Sequence, residues 1–260
     1  ILILILNNRL SSLINIYDTP DGIRKTHTGN IPLLGGTIIF INFFLLIIFD
    51  LMNSNIAIFR DLNEEYKNHY ILLLGSSFFY LIGIFDDKFN LGASFKFLIM
   101  TLILALILFL DQSLIIRYVE FTFTTRTFDL GIFSIPFTLL CFMLFLNAFN
   151  MFDGINLQAG LYSILIFLFF FIHDMFVLVS LVMIISLLVF CILNFLNKAF
   201  MGDSGTYLIS FIVGFLFIQA YNTRLISYSD EIFLIMMIPG FDLIRLFFLR
   251  TIKKQNPFTP

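Results

Sequence analysis

The sequence predicts an all-α polytopic membrane protein of about nine transmembrane helices, the first of them truncated. Three observations carry that expectation. Hydrophobic residues fill 60% of the 260 positions, mean hydropathy is +1.00, and 12% of residues are charged, about half the charge of a water-soluble domain. The apolar residues fall into runs close to the ~20 positions that a helix needs to cross a bilayer. These runs are apolar on every face, whereas barrel strands alternate, so strands are not expected.

In chain order the spans are Leu33–Phe49, Tyr70–Phe85, Phe97–Leu110, Ile132–Phe149, Leu161–Ile172, Met175–Phe195, Tyr207–Tyr221 and Ile232–Leu249. Leu161–Ile172 is short and needs its neighbours to complete a crossing. The chain opens on ILILIL without a Met, and six helical residues rise only about 9 Å. That stub reads as the tail of a first span. Residues 1–260 are therefore expected to be one integral-membrane domain cut at both ends.

Composition also excludes. Cys141 and Cys191 both lie inside apolar runs, so neither a disulfide framework nor a metal knuckle is expected. A net charge of −2 argues against nucleic acid as a partner. With 37 Phe and no Trp, an aromatic belt at the membrane interface has to rest on Tyr and Phe.

Alternating crossings sort the loops into two sets. One holds residues 7–32, 86–96, 147–160, 197–206 and the segment from about Arg245, with ten Lys and Arg; the other carries Arg60, Lys67, Arg117, Arg126 and Arg224. The positive-inside rule puts the first set in the cytoplasm. Asp86, Asp87, Asp153 and Asp203 fall on that same side, at or near span ends.

Four stretches there carry chemistry. DTPDGIRKTHTGNIPLLGG, residues 18–36, sets Arg24, Lys25 and His27 beside glycines that open a helix, and bare backbone N–H groups at a helix start suit a phosphate. Arg and Lys at a membrane end serve equally as topology signals. GIFDDKFNLGASFK, residues 83–96, places two adjacent carboxylates after an apolar run, where they could act as a base, attract a cation or cap a helix. In NAFNMFDGIN, residues 147–156, Asn147, Asn150 and Asp153 recur along one helix face until Gly154 ends it. Polar groups there need a ligand or each other. FMGDSG, residues 200–205, sets Asp203 on a tight turn before a helix, as an N-cap or as a ligand for Mg²⁺, which takes one or two carboxylates plus water and phosphate oxygens. Acids, cations and amides on one membrane face point to phosphoryl chemistry.

These motifs, in this order, resemble the polyprenyl-phosphate N-acetylhexosamine-1-phosphate transferases. That family includes initiators of O-antigen and teichoic acid synthesis and phospho-N-acetylmuramoyl-pentapeptide transferase. The resemblance covers nearly the whole chain. It implies a bacterial inner-membrane enzyme whose active site faces the cytoplasm and which serves cell-envelope polysaccharide synthesis. Polyprenyl (undecaprenyl) phosphate would attack the β-phosphate of a UDP-HexNAc and release UMP. Asp86, Asp87 and Asp153 then belong to the catalytic pocket, one of the first two as base or orienting group. Asp203 would bind Mg²⁺, or Mn²⁺ in its place. Asn147, Asn150, Asn156 and Phe200 would hold the nucleotide-sugar, Phe200 against uracil, and Lys25 and His27 would help close the site. A homodimer is compatible with the family.

Two departures stand out. The family often continues Asp-Gly-x-Asp-Gly-Leu-Ala, whereas here Gly154 is followed by INLQAG, so Asn156 replaces a second acid. RLFFLRTIKKQNPFTP resembles the approach to a His-rich loop that selects the sugar, and on that reading the fragment is expected to lack it. GlcNAc-1-phosphate is the expected group, with the muramoyl-pentapeptide reaction as alternative. A transporter would place its acids near midspan, and an inactive scaffold is the third reading.

Overall fold

A computed structural model describes residues 9–20, 29–52 and 66–253. A short helix over residues 9–14 (α1) leads to β1 (Tyr17–Asp18) and β2 (Ile31–Pro32). Then come α2 (Gly35–Met52), α3 (Tyr66–Phe89), α4 (Ala93–Leu110), β3 (Tyr118–Val119), β4 (Phe128–Asp129), α5 (Ser134–Phe152), α6 (Gln158–Ile172), α7 (Val177–Phe195), α8 (Gly202–Asn222) and α9 (Ser229–Ile252).

The all-α membrane expectation holds. Among the described residues, six helices are long and apolar enough to cross a bilayer, and two shorter apolar helices, Gly35–Phe49 and Gln158–Ile172, stand beside them. The expected stub of a first span falls on residues outside those described. Helices run past the apolar stretches at their polar ends: α3 extends one turn to Phe89, and α8 begins five residues before Tyr207. Among the described residues two small antiparallel ladders, β1–β2 and β3–β4, lie at helix ends, so strands do occur, though none of these is long enough to cross.

α8 is the axis of the bundle. Its span is wholly buried, packed by α2, α3 and α5, whereas α9 lies against α5 and fully buries only Pro239. Burying a helix on all sides requires small residues where backbones meet. A Cβ on Gly83 would lie 2.2 Å from Ser204 Cα, one on Gly36 2.4 Å from Gly205 N, and one on Gly75 2.2 Å from the Phe211 ring. Phe79 and Phe211 then stack at 4.9 Å. The outward side chains of α4 and α9, such as Phe109, Phe241 and Phe248, stay exposed, which is stable only in lipid.

Candidate active site

The polar end of the bundle is assembled from the ends of α2, α3, α5 and α8. Asn90 in a left-handed conformation, φ 49°, closes α3, its N–H reaching the Asp86 carbonyl at 2.8 Å. Asp86 and Asp87 occupy that last turn, and consecutive helical residues diverge by about 100°. They consequently do different things.

Asp87 turns to α8. Its two carboxylate oxygens accept from the backbone N–H groups of Asp203 (2.8 Å) and Ser204 (3.1 Å), satisfying helix-start donors and meeting the positive end of the helix dipole. Gly202 at φ 72° makes the approach feasible, since a Cβ there would sit 2.7 Å from Asp87 Oδ2. Asp203 lies inside the first turn of α8, not on a turn preceding it.

Asp86 is 3% exposed and fully engaged. Its Oδ2 accepts from Lys96 Nζ at 2.8 Å and from the Tyr207 hydroxyl at 3.0 Å, and its Oδ1 from Leu91 N at 3.0 Å. The Tyr207 hydroxyl in turn accepts from Asn150 Nδ2 at 3.2 Å, and Asn150 Oδ1 accepts from Thr206 Oγ1 at 2.7 Å. A directed chain of hydrogen bonds thus joins α8, α5, α3 and α4. The carboxyls of Asp86 and Asp203 lie within hydrogen-bonding reach of each other. Two such groups need a shared proton or cation between them.

Asp153 is the first residue past α5, and among the described residues nothing hydrogen-bonds its carboxyl. Burial, and secondarily the charge of Asp87, pushes it up to about 7. Of the four acids it is the one whose carboxyl accepts no hydrogen bond among the described residues.

The other expected residues fare differently. Asn147 bonds back to its own helix, Nδ2 to Met143 O at 2.7 Å, and takes no part in the network. Asn156 donates to Asn197 Oδ1 at 2.8 Å. Phe200 is threaded between strand-like neighbours, its N–H on Pro32 O (3.0 Å) and its carbonyl on Gly35 N (2.9 Å), so the first loop and the start of α8 are tied together. Lys25 and His27 lie outside the described residues.

Three contributors escaped the sequence reading. Lys96 counted only as a topology charge and Tyr207 only as an apolar span residue, although a Thr-Tyr pair one turn after Asp203 was a usable signal. Asn194 is the third. Buried at 4% exposure, it accepts from Leu157 N (2.7 Å) and donates to Ala199 O (3.0 Å). It staples the turn after Asp153 to the loop before Asp203, holding Leu157 at a strained φ of 70°. Nothing in its motif distinguishes it from other membrane-end asparagines.

A buried helix axis, carboxyls from three helices at one end and apolar surroundings define a membrane enzyme of the phosphoryl-transfer kind. Residues 69–221, more than half of the chain, match the model of glycosyl transferase family 4, and the chain belongs to that family. The match agrees with the resemblance carried by the four motifs. Similar proteins include the undecaprenyl-phosphate alpha-N-acetylglucosaminyl 1-phosphate transferases of Salmonella typhi, 28% identical over 98% of this chain and 69% of the relative. Those of Yersinia pestis (27%, over 95% and 67%) and Escherichia coli K12 (26%, over 100% and 70%) are similar in the same way.

Proposed function

We propose that this chain transfers N-acetylglucosamine-1-phosphate from its UDP-linked form to undecaprenyl phosphate in the bacterial inner membrane, with the acid cluster facing the cytoplasm. The observation that carries the reading is the convergence of Asp86 and Asp87 of α3, Asp153 after α5 and Asp203 of α8 at one membrane end. The names of the relatives support the sugar and the acceptor. The excess of Lys and Arg at the acid end supports the orientation.

In the reaction, an oxygen of the lipid phosphate attacks the β-phosphorus of the donor. The new P–O bond forms as the bond to the α-phosphate oxygen breaks, and UMP leaves. In this reading Asp153, whose carboxyl burial pushes up to about 7, takes a proton from the attacking phosphate. Asn150 is oriented by Thr206 and Tyr207 to hold a polar group of the donor. Asp87 positions Asp203 by fixing the start of α8.

The residues fit Mg²⁺. The Asp203 carboxylate offers hard oxygens beside Asp86, whose own oxygens are taken by Lys96, Tyr207 and Leu91 N. Mg²⁺ favours this arrangement, with water and substrate phosphates completing its shell. When bound it would neutralise the diphosphate; Asp203 is the assigned ligand, with Mn²⁺ as substitute.

The test is direct. Membranes holding the chain, given UDP-GlcNAc, undecaprenyl phosphate and Mg²⁺, should release UMP and form a lipid-linked diphosphate sugar. Release of UDP, or no product with any UDP-HexNAc, would overturn the reading.

A further inference from the structure

The end of the bundle opposite the acids carries an ordered element that the transfer reaction does not use. The β3–β4 hairpin rises between the ends of α4 and α5 and is clamped to α8 and α9. Glu120 is held by Arg224 in a two-point ion pair (2.6 and 3.0 Å), and its backbone N–H meets the Tyr221 hydroxyl at 2.9 Å. Its carbonyl accepts from both Ser229 N (2.8 Å) and Ser229 Oγ (2.6 Å). Asp230 accepts from Thr122 N at 3.0 Å and from its hydroxyl at 2.5 Å.

So fixed, the hairpin presents two unlike surfaces. Phe121 stacks on Phe123 at 5.1 Å and meets Phe128 edge-on at 5.9 Å, yet Phe123 remains 80% exposed. Phe109 and Leu110 at the end of α4, and Ile132 and Phe133 before α5, are exposed on the two segments that flank the hairpin. An aromatic cluster at that level belongs at the membrane interface. Beside it opens a cavity of about 510 Å³ lined by Thr124, Thr125, Arg126 and Tyr228. Glu120, on its wall, is neutralised by Arg224. Arg126 makes no ion pair among the described residues; only its backbone N–H is engaged, by Thr124 Oγ1 at 3.2 Å, which leaves the Thr124 O–H free to donate.

We propose that this hairpin is a binding site for an anionic phospholipid of the leaflet opposite the acid cluster. Arg126 and the hydroxyls of Thr124 and Thr125 take the phosphate, those of Thr122 and Thr127 being given to Asp230 and Glu120, and Phe121, Phe123 and Phe128 lie against the glycerol and upper acyl carbons. The argument for a lipid over a free anion is position: exposed Phe123 lines both the Arg126 cavity and the aromatic cluster, and the hairpin leads directly into the apolar span that begins at Gly131. The assignment does not depend on the transfer reaction.

The absence of native tryptophan makes Phe123→Trp a single fluorophore. The full chain is placed in phosphatidylcholine nanodiscs with equal fractions of brominated phosphatidylglycerol or brominated phosphatidylcholine. Brominated phosphatidylglycerol should quench as though enriched about fivefold near the probe, the effect of one arginine at an anionic surface, and adding Arg126→Gln should erase the preference. Equal quenching by both lipids, no quenching by either, or a preference that survives Arg126→Gln overturns the proposal. So does loss of the preference when inorganic phosphate is added, which would mark a free-anion site. Native mass spectra of lipid retained by the wild-type and Arg126→Gln chains repeat the test without the tryptophan. The melting temperature of each variant should equal wild type, showing that the fold is intact.

Discussion

Tyr207 is a buried phenol whose oxygen is used twice, as donor to Asp86 and as acceptor from Asn150. Removing that oxygen leaves the Asn150 amide without its partner and Asp86 with one donor fewer on Oδ2, a cost of about 1–3 kcal/mol for such buried groups. Tyr207→Phe should therefore keep the fold but lower kcat about tenfold or more through misplacement of both residues; turnover equal to wild type would remove Tyr207 from the site. Asp153 allows a test by pH. Its folded value of about 7 stands above the ~4 of an unfolded aspartate. Between those values the unfolded chain releases its proton first, so the residue's contribution to stability falls as pH rises and levels off above about 7. In metal-free buffer Asp153→Asn should gain thermal stability over wild type at pH 8 while differing little at pH 4. Parallel melting curves across that range would contradict the raised value.

At the level of elements, the site depends on how closely α3 can approach α8. The Gly83 position has no room: a methyl there meets Ser204 backbone atoms at 2.2 and 2.4 Å, and backbone inside a packed helix cannot step aside. Gly83→Ala should cost about 1–3 kcal/mol as overpacking and should displace Asp87 from the start of α8, lowering activity with stability. Gly240→Ala, likewise inside a helix (α9) but with nothing within 4 Å, is the matched control and should leave both melting temperature and turnover near wild type. Equal effects would mean that helix propensity, not helix spacing, governs these positions. The ends of α3 and α8 were also the least legible features of the sequence. Periodicity places an apolar run but not the polar turn beyond it, because the terminal turn is held by contacts such as Asp87 on Asp203 N that come from another helix.

Over the whole molecule, the two ends of the bundle are chemically separate. Asp203 lies in the acid cluster, whereas Asp174 sits in the α6–α7 turn at the far end. Asp203→Asn should abolish most transfer and flatten its dependence on Mg²⁺ concentration, and Asp174→Asn should transfer at the wild-type rate. Equal loss in both would indicate damage to folding. Composition, the spacing of apolar runs and the order of four motifs were enough for the membrane class, the family and the gathering of acids at one end. Those properties rest on transfer free energies and local residue types, which are additive along a chain. The division of labour was decided in three dimensions. That Asp87 holds a helix start while Asp86 is locked by Lys96 and Tyr207, and that Asp153 alone stands unbonded, depends on partners 10 to 121 residues away. Hydrogen bonds are directional and short-ranged, so which acid is used up and which stays free is settled only when helices distant in sequence pack together.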